Sequence, residues 1–268
     1  MRPAEPITSR GNALVKRLRA TKDRRGPQAL ALLEGVKLVE EALEAGVEIA
    51  EAAVAPRLRH SPRGRHVLQS LDAKGVAVRE VADAVLDSVS ETEASQGILA
   101  LARRPRFEED RLFQGTPLVL VAVQVQDPGN LGALFRVAEA AGASGAYLTR
   151  GTADAFAWKA LRGSMGSAFR LPHVAGLSIE DALERVRAHG LATVAAVGHE
   201  GERYDRLDFR GPVALIVGNE GAGLPEAALR AADQEATIPM RSPVESLNVA
   251  VAAGVLLFEA ARQRAQMQ

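Results

Sequence analysis

The chain has 268 residues, 47% hydrophobic and 25% charged, a balance that supports a packed core and excludes a disordered polymer. It contains no cysteine, which excludes disulfides, thiolate metal sites and a cysteine nucleophile. No apolar run reaches the roughly 18–20 residues of a membrane span, and Met1-Arg-Pro-Ala-Glu-Pro6 has no signal-peptide core, so a cytoplasmic protein without membrane contact is expected.

The formal charges cancel, but unevenly. Residues 1–107 carry 18 Lys and Arg against 14 Asp and Glu, and the remainder carries 15 against 19. The first 26 residues hold eight basic side chains and two acidic ones. Such a cluster can neutralise phosphates, or can be a solvated helix face. The candidate RNA-binding side chains are Lys16, Arg17, Arg19, Lys22, Arg24, Arg25 and, further on, Lys37.

Elements follow in alternation. Asn12 to Lys22 has a helical pattern with Leu14, Val15 and Leu18 on one side. Leu30 to Leu33 reads as a strand, and Gly35 to Leu43 as an amphipathic helix closed by Gly46. Segments 49–55, 65–73, 76–81, 82–88 and 97–102 continue a small α/β unit. Arg103-Arg-Pro-Arg-Phe-Glu-Glu-Asp110 then breaks the pattern with a proline among charges. The expected organisation is an N-terminal domain over 1–106, a linker over 107–116 and a second domain over 117–268.

The second half opens with Leu118-Val-Leu-Val-Ala-Val123, a continuous apolar run of the kind that parallel strands buried on both faces show. Helices are expected at 131–141, 155–165, 179–188, 225–231 and 246–264. Strands are expected at 145–149, 171–174, 191–197, 213–217 and 235–238. The alternation predicts an α/β fold with a mostly parallel, doubly wound sheet.

Three segments place polar or glycine residues beside these apolar runs. In Asp127-Pro-Gly-Asn-Leu-Gly-Ala-Leu-Phe-Arg136, Asn130 suits a helix N-cap and Arg136 is a charge in an apolar stretch, either functional or surface-facing. Gly218-Asn-Glu-Gly-Ala-Gly-Leu224 is a glycine-rich turn after a buried strand, where α/β sheets bind ligands. Its glycine spacing is neither the dinucleotide fingerprint nor a phosphate-binding loop, which argues against a dehydrogenase. Glu220 in that turn either accepts hydrogen bonds or braces the loop. In Ile238-Pro-Met240 and Ser246-Leu-Asn248, Ser246 is a natural N-cap and Asn248 is an amide in the first turn of a buried helix, which needs partners. The five histidines have no metal-ligand spacing, so no metal is expected.

In order, spacing and residue type these segments resemble the three motifs of the SpoU-type RNA 2′-O-ribose methyltransferases of the SPOUT superfamily, over residues 118–264. Glu34-Gly-Val-Lys-Leu-Val-Glu-Glu-Ala-Leu43 and Ser95-Gln-Gly-Ile-Leu-Ala100 resemble the L30e-like substrate-binding domain often attached to them. The third segment reads Asn-Val-Ala-Val where Asn-Val-Ser-Val is common in that family. The resemblance implies a deep C-terminal trefoil knot, S-adenosylmethionine as cofactor and a homodimer. It implies a cofactor site at Val217, Gly218, Asn219, Glu220, Ile238, Met240, Leu247 and Asn248, and catalytic roles for Asn130, Arg136, Glu220, Ser246 and Asn248. The implied substrate is an RNA ribose 2′-hydroxyl, in 23S ribosomal RNA ahead of transfer RNA. A non-catalytic RNA-binding module with a methyltransferase-like dimerisation half is the competing reading.

Overall fold

The computed structural model describes residues 5–92, 94–219 and 221–266. Two compact units contain them. Met1–Pro105 groups with Phe156–Phe169, and Arg106–Ala155 groups with Arg170–Gln268.

The first unit begins with α1 (Ala13–Lys22), capped by the Asn12 carboxamide, which accepts from the Leu14 N–H at 2.9 Å. There follow β1 (Leu30–Glu34), α2 (Val36–Glu44), β2 (Ile49–Val54), α3 (Pro62–Ala73), β3 (Ala77–Glu80), α4 (Asp83–Asp87) and β4 (Ile98–Arg103). The sheet order is β1-β4-β2-β3. Strand β4 is antiparallel to both β1 and β2, and β3 lies parallel to β2 at an edge. Leu14, Val15 and Leu18 of α1 pack with Leu32, Leu99 and Leu101 of the sheet, as the helical spacing predicts.

The second unit starts at Arg106, one residue before the linker expected from the sequence. Residues 107–116 are not loose chain. A 3-10 turn at Glu109–Phe113 buries Leu112 in the core. The Glu109 carboxylate accepts from the Tyr147 hydroxyl and, at 2.5 Å, from Arg185. Proline among charges therefore marks an irregular turn whose charges find partners, rather than a solvated tether.

The elements of this unit are β5 (Leu118–Ala122), α5 (Pro128–Ala140) and β6 (Gly145–Thr149). Next come α6 (Trp158–Ser164) and α7 (Ser167–Arg170), which lie in or reach from the Phe156–Phe169 segment of the first unit. Then follow β7 (His173–Leu177), α8 (Ile179–Ala188), β8 (Ala192–Val197), β9 (Glu202–Arg203), β10 (Val213–Val217), α9 (Glu226–Ala231), β11 (Gln234–Thr237) and α10 (Val249–Ala265). The sheet order is β7-β6-β5-β10-β8-β11-β9, and every pair is parallel. Strands β5, β6 and β10 are buried at every position, which explains their unbroken apolar sequence. Because β10 lies between β5 and β8, the loops after β5 and β10 leave the same edge side by side. Crevices at such carboxyl edges are where open α/β sheets hold ligands.

The segment Phe156–Phe169 is the main departure from the sequence reading, which placed a helix at 155–165 inside the second domain. In the structure it helps to complete the first unit. The Trp158 indole N–H donates to the buried Glu34 carboxylate at 2.7 Å. Ser90, Thr92 and the Glu91 N–H supply further donors. Burial pushes the Glu34 carboxyl up, but these hydrogen bonds outweigh it and hold the group below the usual carboxylate range. No helix among the described residues is long and apolar enough to cross a membrane.

Candidate active site

The first segment folds around Asp127. Its carboxylate accepts from the Asn130 N–H at 2.9 Å and Pro128 takes the first helical position, so Asp127 caps α5. The sequence reading gave that cap to Asn130, which instead sits one residue short of a full turn into the helix. The reason is local: Asp-Pro is the stronger start signal, and it relieves the Asn130 side chain of capping.

The third segment corrects in the same sense. The N-cap of α10 is Asn248 and not Ser246, because the Asn248 Oδ1 accepts from the N–H groups of Ala250 at 2.9 Å and Val251 at 3.4 Å. Asn248 is exposed in the single chain rather than buried, and so is Ser246. Its own Nδ2 donates to Asn130 Oδ1 at 2.8 Å. Two backbone donors fix the Asn248 oxygen toward the helix, so its amide nitrogen faces Asn130. Residues 118 positions apart, on two different helices, are thereby joined.

The second segment is a closed loop. Asn219 and Gly223 exchange backbone hydrogen bonds at 3.1 and 2.9 Å. Asn219 Oδ1 accepts from the N–H groups of Gly221 and Ala222, and its Nδ2 donates to the Gln124 carbonyl at 3.0 Å. A Cβ on Gly218 would lie 2.5 Å from the Gly223 carbonyl, so only glycine fits where the loop returns on itself. Asn219, expected among the cofactor contacts, has its side chain spent on bracing the loop against the β5 loop. Glu220 lies outside the described residues.

The expected cofactor residues end or follow strand β10, follow β11, or precede helix α10. Val217 ends β10 and gives its carbonyl to the Val123 N–H at 2.8 Å. Ile238 and Met240, both half-buried, follow β11, and Leu247 precedes α10. Among the described residues the backbone N–H and C=O groups of Met240 and Leu247 make no hydrogen bond. Open backbone donors and acceptors among apolar side chains suit a purine nucleoside, which needs both a hydrogen-bonded edge and an apolar face. The residues present fit S-adenosylmethionine.

Arg136 stands apart from the Asn130–Asn248 pair. It is exposed and makes neither a hydrogen bond nor an ion pair among the described residues. Six residues along a helix is roughly 9 Å of rise and about 120° of rotation from Asn130. Its neighbour Val137 packs on α10, where a Cβ on Gly254 would lie 3.3 Å from Val137 Cγ1.

The basic cluster is partly neutralised. Arg17 forms a bidentate pair with Glu51 at 2.8 and 2.6 Å, and Lys22 pairs with Glu91 at 3.0 Å. Lys37 pairs with Glu41, and Arg19 reaches Ser88 at 3.3 Å. Lys16, Arg24 and Arg25 are exposed, and Lys16 and Arg25 have no acidic partner among the described residues. No group of three or more His, Asp or Glu able to hold a metal is found among the described residues. Sequence reasoning missed Asp127 as the cap and the Gln124 carbonyl as an anchor; the Asp-Pro dipeptide was the available signal for the first.

Known proteins resemble this chain in sequence and fold. The model of the SpoU rRNA Methylase family matches residues 117–258, and that of the MRM3-like substrate binding domain matches residues 12–100. The 23S rRNA (guanosine(2553)-2′-O)-methyltransferase RlmP of Bacillus subtilis is 35% identical over 238 residues, 89% of this chain and 91% of its own length. A crystal structure of an RNA 2′-O ribose methyltransferase aligns with a TM-score of 0.84 at 38% identity, covering 97% of this chain and 100% of that one. An AdoMet-bound rRNA methyltransferase from Sinorhizobium meliloti aligns with a TM-score of 0.84 at 34% identity, covering 96% and 97%. The chain belongs to the SpoU rRNA methylase family.

Proposed function

We propose that this protein methylates a ribose 2′-hydroxyl in 23S ribosomal RNA, with S-adenosylmethionine as the methyl donor, in the cytoplasm. The observation that carries the reading is the Asn248–Asn130 hydrogen bond, which joins the first and third segments. The loop closed by Asn219 and Gly223 and the open backbone of Met240 and Leu247 support the cofactor part of the reading. The names of the relatives support ribosomal RNA as the substrate. The family's trefoil knot belongs to this reading, supported by β10 lying between β5 and β8; an experimental chain trace through 213–248 decides it.

When bound, S-adenosylmethionine would supply an electrophilic methyl carbon for transfer from its sulfonium sulfur to O2′, with the hydroxyl proton lost to solvent. Arg136 cannot take that proton, because an arginine stays protonated in proteins. Its guanidinium instead stabilises the developing negative charge on O2′ and holds the adjacent phosphate. Asn130, its amide orientation set by Asn248, positions the ribose, and the family resemblance assigns Ser246 and Glu220 to positioning Arg136.

The protein acts as a homodimer in this reading. The large hydrophobic side chains exposed in the second unit lie between residues 244 and 258: Val244 at 53%, Leu247 at 37%, Val251 at 52% and Phe258 at 52%. Val251, Gly254 and Phe258 fall on one face of α10, and Val137 touches it at Gly254. Arg136 is exposed on α5, the helix whose Val137 meets α10, and in the dimer it serves the partner's Asn130–Asn248 pair.

The test is Arg136→Ala assayed by transfer of labelled methyl to a 23S rRNA transcript. Turnover should fall by about 100-fold or more, with S-adenosylmethionine affinity, measured by calorimetry, unchanged. Near-wild-type turnover would refute the role of Arg136. Wild-type protein that binds neither the cofactor nor RNA would refute the function.

A further inference from the structure

Residues 52–71 form a window of 20 with four arginines, two histidines and no acidic side chain. It lies on β2, the 3-10 turn Pro56–His60 and α3 of the first unit. The structure divides the four arginines into two kinds. Arg57 is tied to Asp83 and Asp87 and to the Ser95 carbonyl, and Arg63 forms a bidentate pair with Glu40. Both are spent inside the unit.

Arg59 and Arg65 are not. The exposed Arg59 has only a long 3.4 Å contact with Glu80. Arg65, also exposed, donates to the carbonyls of Arg59 at 2.9 Å and His60 at 3.3 Å. Those carbonyls fix the guanidinium beside Arg59 without cancelling its charge. Arg79, exposed on β3, has no ionic partner among the described residues. Arg59 and Arg79 line one groove of about 640 Å³, which Arg17 of α1 also lines. The acids of the groove are Glu51, paired with Arg17, Glu80, at the long contact with Arg59, and Glu5. The groove thus takes its lining from the basic helix α1 and from the exposed cations of the 3-10 turn and β3.

We propose that Arg59, Arg65 and Arg79 form a second phosphate-binding edge, which carries the RNA backbone across the β3 edge of the first unit and continues the α1 contact. This rests on the reading of the chain as an RNA methyltransferase, and on the match of residues 12–100 to a substrate binding domain. Guanidinium groups suit the partner because they bind phosphate oxygens in pairs and keep their charge at any physiological pH. A peptide strand adding to β3 would need main-chain pairing but not three cations. The edge already takes a short segment of this chain, since Ile7 bridges Val81 in parallel.

The experiment measures binding of a 23S rRNA transcript by the full-length protein across about 50 to 200 mM salt. Arg59→Gln/Arg65→Gln/Arg79→Gln should weaken affinity by roughly tenfold or more and flatten the log–log salt slope by about 2, near 0.7 per lost single-strand contact. Arg59→Gln/Arg79→Gln, which leaves the Arg65 backbone contacts intact, should give a proportionate part of both effects. Arg230→Gln, on α9, is the control for a generic loss of charge and should leave the slope unchanged. Wild-type affinity and slope in the triple variant, with S-adenosylmethionine binding retained as proof of folding, would overturn the proposal. The readout is binding, so a failure of methyl transfer in the wild type would count against the functional reading alone.

Discussion

One carboxamide does two unrelated things here. The Asn248 oxygen caps α10, and its nitrogen orients Asn130. The two duties separate chemically. Asn248→Asp keeps a good cap but loses the donor to Asn130, so thermal stability should stay within about 0.5 kcal/mol of wild type while kcat/KM falls at least tenfold. Asn248→Ala should lose both, with about 1 kcal/mol of stability gone as well. Equal activity of the aspartate variant and the wild type, measured by labelled methyl transfer, would reduce Asn248 to a cap. At this scale the sequence was readable for residue type but not for duty. Asn130 and Ser246 both look like caps because capping needs only a short polar side chain before an apolar run. Which residue wins depends on its neighbours, Pro128 for α5 and the path of the chain into Val249 for α10.

The elements were legible wherever burial imposes a period. The runs at β5, β6 and β10 announce strands buried on both faces, and Leu14, Val15 and Leu18 announce the inner face of α1. The Asn130–Asn248 contact was not legible, since no local pattern encodes an encounter between two distant helices. Helix α10 shows the same limit in another form. Its sequence is apolar nearly all round, which reads as burial, yet Val251 and Phe258 are exposed in the single chain. An exposed apolar strip of this kind marks an interaction surface. If the proposed homodimer forms through this strip, Phe258→Glu should shift the protein toward monomer in sedimentation equilibrium, and activity should fall with the dimer fraction. A variant that stays dimeric would place the subunit contact elsewhere. Gly254, which lets Val137 approach to contact distance, couples the strip to the helix that carries Arg136.

At the scale of the whole molecule, the sequence suggested two domains divided once. The structure divides the chain at three places, because Phe156–Phe169 belongs to the first unit although it lies between β6 and β7 of the second. Nothing in its composition marks this: Phe156, Leu161 and Phe169 are buried apolar residues of the sort that any core would accept. The Trp158–Glu34 hydrogen bond across 124 residues is again a long-range fact. A fragment of residues 107–268 should consequently be less soluble and less stable than its own all-parallel sheet would suggest. Size-exclusion chromatography should show it associating, through side chains that the full chain buries. A monodisperse fragment with the same melting temperature as the full-length protein would show that the segment needs no first unit.

The same interleaving bears on how the two halves can be exchanged between members of the family. A single crossover near residue 106 transplants most of the half that matches a substrate binding domain but leaves behind Trp158, one of the donors to the buried Glu34 carboxylate. A working chimaera must carry a second, short graft over Phe156–Phe169, from the same parent as the N-terminal half. Substrate preference in this architecture is therefore inherited through two separated stretches of sequence, not through one movable module.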